Sequence, residues 1–165
     1  MAYSKTTIPA SYWKRLFALI IDLTIINMFF VFPFRKLLML LVPPISNFKE
    51  SSEFIQSNPY ISRKLSLIII VVSLLAWLYL TLTEWNLSAT AGDLLMKIKI
   101  RSTSGKEIRF WQAALRNLFI FPYFPFIMLW IIDPLYLLFK QQKFSELISR
   151  TDTVEEFVIN KAKLY

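Results

Sequence analysis

The sequence predicts an all-α membrane protein with about three transmembrane helices, and three observations support this fold class. Hydrophobic residues make up 56% of the 165 residues, whereas soluble domains usually contain roughly 45–50%. The excess lies in long runs close to the roughly 20 apolar residues that a helix needs to cross a bilayer. The net charge is +8, and lysine and arginine flank these runs, as in basic loops held against anionic headgroups. We predict one membrane domain over residues 1–165.

The first predicted span covers residues 16–34, where Asp22 is the one ionisable residue. A signal peptide is the alternative interpretation of this run. The run is longer than the usual apolar core of a signal peptide, and no small-residue cleavage site follows it, so we favour a span.

The second predicted span covers residues 65–82 and contains no charged residue. The polar residues 47–64 before it predict an aqueous loop. Trp77, Tyr79 and Trp85 lie towards its end, where aromatic side chains suit the headgroup region.

Residues 94–110 predict a basic β-hairpin-like loop between spans two and three. Isoleucines alternate with lysine and arginine between residues 97 and 101, and a Ser-Thr-Ser-Gly turn follows. This combination is typical of a hairpin. An irregular basic loop is the alternative.

The third apolar run covers residues 118–139 and is interrupted by Pro122, Pro125 and Pro134. Each proline lacks a backbone donor and bends a helix. We therefore predict a bent crossing, with a re-entrant segment as the alternative. Residues 140–165 predict a polar tail.

The composition excludes several kinds of chemistry because the chain has no cysteine and no histidine. An ordinary zinc or iron–sulfur site, a Ser-His-Asp triad and a disulfide framework each need one of these residues. We expect no metal, no cofactor and no enzymatic activity. Nucleic acid is not an expected partner, because the basic residues flank apolar runs and form no separate basic face.

Asp22 is the first candidate for a functional site, since a carboxylate within a span costs several kcal/mol unless it is paired or protonated. Arg15 lies seven residues earlier, so Arg15, Ala18 and Asp22 share one helical face. One interpretation is a ligand site or a charge-lined path. The other is that Asp22 holds helices together, paired with a basic residue such as Arg116.

Asp133 and Arg116 are further candidates. Asp133 would pair with Arg116 or Lys140, mark a site near one membrane interface, or lie solvated at the water boundary. Arg116 would either contribute to a functional site or place its guanidinium group at the membrane interface as a snorkelling cation.

Several segments in order resemble the RDD family of small, mostly bacterial membrane proteins, named for one arginine and two aspartates. Arg15 and Asp22 match the arginine that begins the first helix and the aspartate within it. Residues 90–100, 104–106, 113–118 and 144–151 resemble later family segments. Asp93 stands where the family has a basic residue, and Ser145-Glu146 stands where it has His-Asp. The second family acid corresponds to Glu146 or Asp133.

The resemblance implies a protein of the bacterial plasma (inner) membrane and a role in transport, including sodium–proton exchange. One hypothesis is a transporter of a small ligand, a monovalent cation or a proton, acting as a homo-oligomer or with a partner subunit. The other is a non-transporting accessory or assembly subunit of a membrane complex. The candidate binding residues are Arg15, Asp22, Arg116, Asp133 and Glu146.

Overall fold

A computed structural model describes residues 3–42, 47–140 and 142–160. Most of these residues are helical, but three strands form an antiparallel sheet in the order β1-β3-β2. Strand β1 is Tyr3–Pro9, β2 is Ile98–Ser102 and β3 is Thr151–Asn160. The prediction of a mainly helical chain is confirmed, but the all-α class omits this sheet, because β1 and β3 lie outside the apolar runs on which the prediction was based.

The first span forms one continuous helical rod over residues 12–41. It consists of α1 (Tyr12–Ile26), a π-helical turn (Asn27–Val31) and α2 (Phe32–Leu41). The wide turn lies directly before Pro33, which has no backbone N–H to donate within the helix. The rod includes the predicted residues 16–34 and continues for about two more turns.

The predicted aqueous loop at residues 47–64 is wrong. These residues form α3 (Phe48–Ser57) and the first turns of α4 (Pro59–Leu87). The side chain of Asn47 accepts a hydrogen bond from the Lys49 N–H at 3.1 Å and so caps α3. Pro59 occupies the start of α4, where a missing N–H costs nothing. The prediction failed because a polar composition does not prevent a capped helix.

The rods at residues 12–41 and 59–87 are both long and apolar enough to cross a membrane. Only 17% of the most apolar window of the first rod and 22% of that of the second are buried within the protein. The core helix of a soluble protein is mostly buried, whereas these helices present leucine, isoleucine and phenylalanine outward. This outward apolar surface suits contact with lipid.

The predicted hairpin at residues 94–110 is also wrong, although its strand exists. Helix α5 (Ala91–Met96) takes up its first residues, β2 follows, and β2 pairs with β3. The chain turns after β2, where the Ser102 N–H donates to the Lys106 carbonyl at 3.1 Å. No second strand follows within residues 103–110. The alternation identified a strand but could not identify its partner.

The third apolar run is broken into short pieces, as its prolines predicted. Helix α6 (Phe110–Arg116) precedes it, and 3₁₀ turns occupy Asn117–Ile120 and Phe126–Met128. Helix α7 (Leu129–Lys140) then has 12 residues, about 18 Å of helix against a bilayer core of about 30 Å. No continuous crossing helix forms here, and a bent or re-entrant passage stays a prediction.

The predicted polar tail is largely ordered structure. Helix α8 (Phe144–Ser149) and strand β3 occupy most of it, while residue 141 and residues 161–165 of that prediction lie outside the described residues. Strand β3 is the centre of the sheet, with β1 on one side and β2 on the other. Because β1 leads into the first rod and β2 follows the second, the sheet packs against one end of the helix pair.

Candidate functional site

One face of α1 is buried against the rest of the chain. Its buried residues are Arg15, Ala18, Asp22 and Ile26, a spacing that places them on one side of a helix. The prediction that Arg15, Ala18 and Asp22 share a face is confirmed. Two ionisable side chains, Arg15 and Asp22, therefore point from the first rod into the protein.

Glu146 joins the two arginines of the site. Its side chain is 0% exposed and lies between Arg15 and Arg116. Glu146 Oε2 is 3.2 Å from Arg15 Nη1, and Glu146 Oε1 is 3.1 Å from Arg116 Nη1. Arg116 is itself 6% exposed, so the interpretation of Arg116 as a snorkelling cation is wrong.

A second carboxylate, which comes from the second rod, joins these ion pairs. Glu84 of α4 is 2% exposed, and its Oε1 is 3.3 Å from Arg116 Nε. Asn117 Nδ2 donates to Glu84 Oε2 at 2.9 Å. Arg15, Glu146, Arg116 and Glu84 thus alternate in sign, and we call them the ion cluster.

Strand β3 completes the hydrogen bonds of both arginines through one residue. Arg15 Nη2 donates to the carbonyl of Thr153 at 2.9 Å, and Arg116 Nη2 donates to its hydroxyl at 2.8 Å. Arg15 Nε also donates to the Ala10 carbonyl at 3.1 Å. Buried charges need such complete pairing to be tolerated.

The ion cluster fixes the protonation of its members outside the rods. Burial raises the pKa of Glu146, but the charges of Arg116 and Arg15 outweigh it and lower that pKa to about 2. Burial disfavours the charged form of Arg116, yet Glu84 and Glu146 raise its pKa above the usual range. Both groups therefore stay ionised at neutral pH.

Asp22 has different partners from those we predicted. Thr90 Oγ1 donates to Asp22 Oδ2 at 2.6 Å, and the Gly92 N–H donates to Asp22 Oδ1 at 2.8 Å. One predicted alternative was an ion pair between Asp22 and Arg116, and that alternative is wrong. The carboxylate joins α1 to the start of α5, so it does hold two elements together.

The start of α5 is shaped to receive Asp22. Thr90 and Asp93 form a capping box, in which Asp93 N–H donates to Thr90 Oγ1 at 3.1 Å and Thr90 N–H donates to Asp93 Oδ2 at 3.2 Å. A Cβ on Gly92 would lie 2.1 Å from the carbonyl oxygen of Ala18. A glycine is therefore required for α5 to approach α1 this closely.

These groups surround a central cavity of about 40 Å³ between the two rods, α6 and α8. One water molecule needs at least about 10–15 Å³, so the cavity has room for a few waters or a small ion. Its wall includes a polar and charged set: Arg15, Asp22, Glu84, Thr90, Asp93, Arg116, Asn117, Lys143, Ser145 and Thr153. We call this space the central cavity.

Asp133 lies apart from the central cavity. It is 8% exposed, and it accepts hydrogen bonds from the Ser145 N–H at 2.8 Å and the Ser145 hydroxyl at 2.7 Å. The predictions that it would be solvated or paired with Arg116 or Lys140 are wrong. It instead joins α7 to the first turn of α8, as an acceptor at a helix N-terminus does.

Sequence reasoning found much of the site but missed several members. Arg15, Arg116 and Glu146 come together, and Asp22 lies on the same cavity. Glu84, Lys143 and Thr153 were missed. Glu84 lies two residues beyond the predicted span 65–82, and the lack of glycine and proline in residues 83–87 was the signal that could have placed it inside the helix.

The sequence model of the RDD family matches residues 9–147. The chain belongs to the RDD family. A search of curated proteins and a search of solved structures found no match.

Family membership and the two apolar rods make this RDD protein a membrane protein. The match includes Arg15 and Asp22 as well as both candidates for the second acid. In this RDD protein Glu146 is the acid that pairs with Arg15, while Asp133 bonds to Ser145.

Proposed function

We propose that this RDD protein transports a monovalent cation or a proton across the plasma (inner) membrane of a bacterium, with Asp22 as the ion-binding carboxylate. The main observation that supports the proposal is the central cavity. It is small and lies between the two rods, and the ion cluster and the cavity wall together hold four carboxylates and three cationic side chains.

The charge balance of the cavity supports one bound positive charge. The ion cluster is neutral, because two arginines face two glutamates. The remaining charged groups on the cavity are Asp22, Asp93 and Lys143. When all are ionised the set has one net negative charge, and a buried excess charge is costly unless an ion or proton compensates it.

The ligand types favour a monovalent ion over a divalent metal. In the described parts of the chain, no three acidic side chains converge as metal ligands would. Asp22 accepts one hydrogen bond at each oxygen, and a carboxylate has roughly four acceptor positions. Asp22 can therefore hold its two donors and still face a cation.

Two rods and a broken third segment are too few to enclose a pathway, so we propose that the protein works as a homo-oligomer or with a partner subunit. Anionic lipid headgroups are its proposed surroundings at the basic loops. We propose a non-enzymatic role, because the arginines and glutamates of the ion cluster are paired with one another.

The test is ion flux through purified protein in vesicles made from anionic and zwitterionic lipid. We expect flux of protons or of Na⁺, Li⁺ or K⁺ in the wild type and background flux in Asp22→Asn. The amide keeps an acceptor for the Gly92 N–H and offers a donor to the Thr90 hydroxyl, which can turn to accept. The variant should therefore fold while lacking the charge.

Glu53→Gln is the matched control, because Glu53 is exposed on α3. We expect it to retain wild-type flux. Wild-type flux in Asp22→Asn would show that this carboxylate does not bind the ion, and an absence of flux from the wild type across all four ions would overturn the transport proposal.

A non-transporting accessory subunit is the second candidate, and the closed ion cluster favours it. Arg15, Glu146, Arg116 and Glu84 satisfy one another, as charges do when they serve to hold elements in register. Recovery of one stoichiometric membrane partner, together with no flux from the purified chain, would support this role.

A further inference from the structure

Lys143 differs from the two arginines of the central cavity. Arg15 and Arg116 are each held by ion pairs. Within the described residues, Lys143 takes part in no ion pair, although it lies on the cavity wall beside three carboxylates. The three carboxylates on that wall are Asp22, Glu84 and Asp93.

The backbone of Lys143 is fixed while its side chain is long and flexible. The Lys143 N–H donates to Glu146 Oε2 at 3.0 Å at the start of α8. Four carbons separate this anchor from the ammonium, which is a compact point charge with three rotatable donors. The ammonium can therefore move by several ångströms without any movement of α8.

Lys143 also borders a second space. A groove of about 200 Å³ lies between α1 and α7, and Lys143, Arg15, Leu19 and Phe119 line both this groove and the central cavity. The groove has mainly apolar walls and opens at Trp130, which is 57% exposed. Lys143 thus borders both the space that contains Asp22 and the groove.

We propose that the Lys143 ammonium is a tethered competitor of the transported cation. It lies in the central cavity beside Asp22 when no ion is bound, and it withdraws towards the groove when a monovalent cation enters. This inference rests on the proposed transport function. The competition follows from like charge, because an ammonium and a cation beside the same carboxylate repel each other, and the central cavity is small at about 40 Å³.

The first test measures cation binding to the full-length protein in detergent. The unfolding midpoint is followed as Na⁺ is titrated, with choline holding the ionic strength constant, because a ligand that binds the folded state raises that midpoint. In Lys143→Gln we expect the half-saturating Na⁺ concentration to fall about tenfold, equivalent to ~1.4 kcal/mol. Li⁺ and K⁺ are titrated in the same way.

Two variants are controls. Lys143→Arg keeps a permanent positive charge, and we expect a half-saturating Na⁺ concentration close to that of the wild type. Lys106→Gln removes an exposed lysine in the turn after β2, and we expect no change. An unchanged value in Lys143→Gln would overturn the inference and leave the transport proposal standing.

The second test uses the wild-type chain and so does not depend on a variant that folds. A short pulse of an amine-acetylating reagent is applied with Na⁺ or with choline, and modification of each lysine is measured by mass spectrometry. We expect Na⁺ to increase the modification of Lys143 relative to Lys106. A stabilising effect of Na⁺ without any change at Lys143 would overturn the inference.

The two proposals fail in different ways. If Na⁺, Li⁺ and K⁺ leave the wild-type unfolding midpoint unchanged relative to choline, no metal cation binds and the role of Lys143 is wrong; if the flux assay also shows no proton flux, the transport proposal is wrong as well. If a cation stabilises the wild type but Lys143 neither alters its affinity nor changes reactivity, the role of Lys143 alone is wrong.

Discussion

Glu146 is the residue on which the ion cluster depends. It is fully buried, it pairs with both Arg15 and Arg116, and it accepts a hydrogen bond from the Thr153 hydroxyl. Four elements, α1, α6, α8 and β3, therefore meet at one carboxylate. Its removal would leave two buried guanidinium groups facing each other without the charge that separates them.

We expect Glu146→Gln to lower the free energy of unfolding by about 3–5 kcal/mol, the usual result of removing one partner of a buried ion pair. Denaturant titration of the detergent-solubilised protein measures this change. Glu156→Gln, which removes one side of the exposed pair with Lys99 at 3.1 Å, should cost no more than about 1 kcal/mol. Equal effects of the two substitutions would contradict a central role for Glu146.

The same residue predicts how stability depends on pH. The pKa of Glu146 is about 2 in the folded protein against an ordinary value of 4.5. The stability that its ionised form contributes is therefore fully present above about pH 4.5 and is lost as the pH falls through about 2. Unfolding measured across this range should show a smaller acid loss in Glu146→Gln than in the wild type.

At the scale of elements, the contact between α1 and α5 is set by Gly92. A Cβ at this position would lie 2.8 Å from the carbonyl carbon of Ala18 and 2.9 Å from Asp22 Oδ2. Because two of these neighbours are backbone atoms of α1, a side chain could be accommodated only if the helices separated. The hydrogen bond from the Gly92 N–H to Asp22 would then lengthen.

We expect Gly92→Ala to destabilise the protein by about 1–3 kcal/mol, as overpacking usually does, and to weaken the stabilising effect of Na⁺. Gly105 provides the comparison. It has φ +76 with nothing within 4 Å of an added Cβ, so Gly105→Ala costs about 1–2 kcal/mol through backbone strain alone. It should leave the response to Na⁺ unchanged. An unchanged response in Gly92→Ala would show that this contact does not shape the site.

Elements were predictable from the sequence where the signal is local. The first two spans follow from long apolar runs, and Pro122 and Pro125 correctly predicted the break in the third, whereas α7 continues through Pro134. Strand β2 was recognised from its alternation, but its partner β3 lies about 50 residues further along, and no local pattern reports that pairing. The same limit applies to the site, since Arg15 and Glu146 are 131 residues apart. Glu146 was a candidate because of the resemblance to a family. No periodic pattern in the sequence indicated it.

At the scale of the whole molecule, the sheet joins the two ends of the described chain. Strand β3 pairs with β1 near the start and with β2 after the second rod. Thr153 in this strand contacts both arginines of the ion cluster. The sheet therefore holds one end of the helix pair and the charged site in a single arrangement.

This topology predicts a specific cross-link. Arg101 of β2 is opposite Asp152 of β3, and directly opposed residues of antiparallel strands have Cα atoms about 4.5–5.5 Å apart, within the range of a disulfide. The natural chain has no cysteine. Under mild oxidation, Arg101→Cys combined with Asp152→Cys should lose both free thiols in a thiol count by mass spectrometry.

The control shifts one partner by two residues. Lys99 is opposite Val154 and not opposite Asp152, so Lys99→Cys combined with Asp152→Cys brings its thiols only to diagonal positions, about 7–8 Å apart. We expect this pair to stay reduced under the same conditions. Efficient oxidation of the control, or none in the aligned pair, would contradict the register of β2 and β3.

The 131 residues between Arg15 and Glu146 also impose an order on biogenesis. At a ribosomal speed of about 5–20 residues per second, Glu146 follows Arg15 by ~7–26 s. The first rod is therefore made before Arg15 has its counter-charge, and β3, which follows Glu146, completes the sheet after both rods have been made. A nascent chain halted before residue 146 would hold both apolar rods while Arg15 lacks the carboxylate that pairs with it.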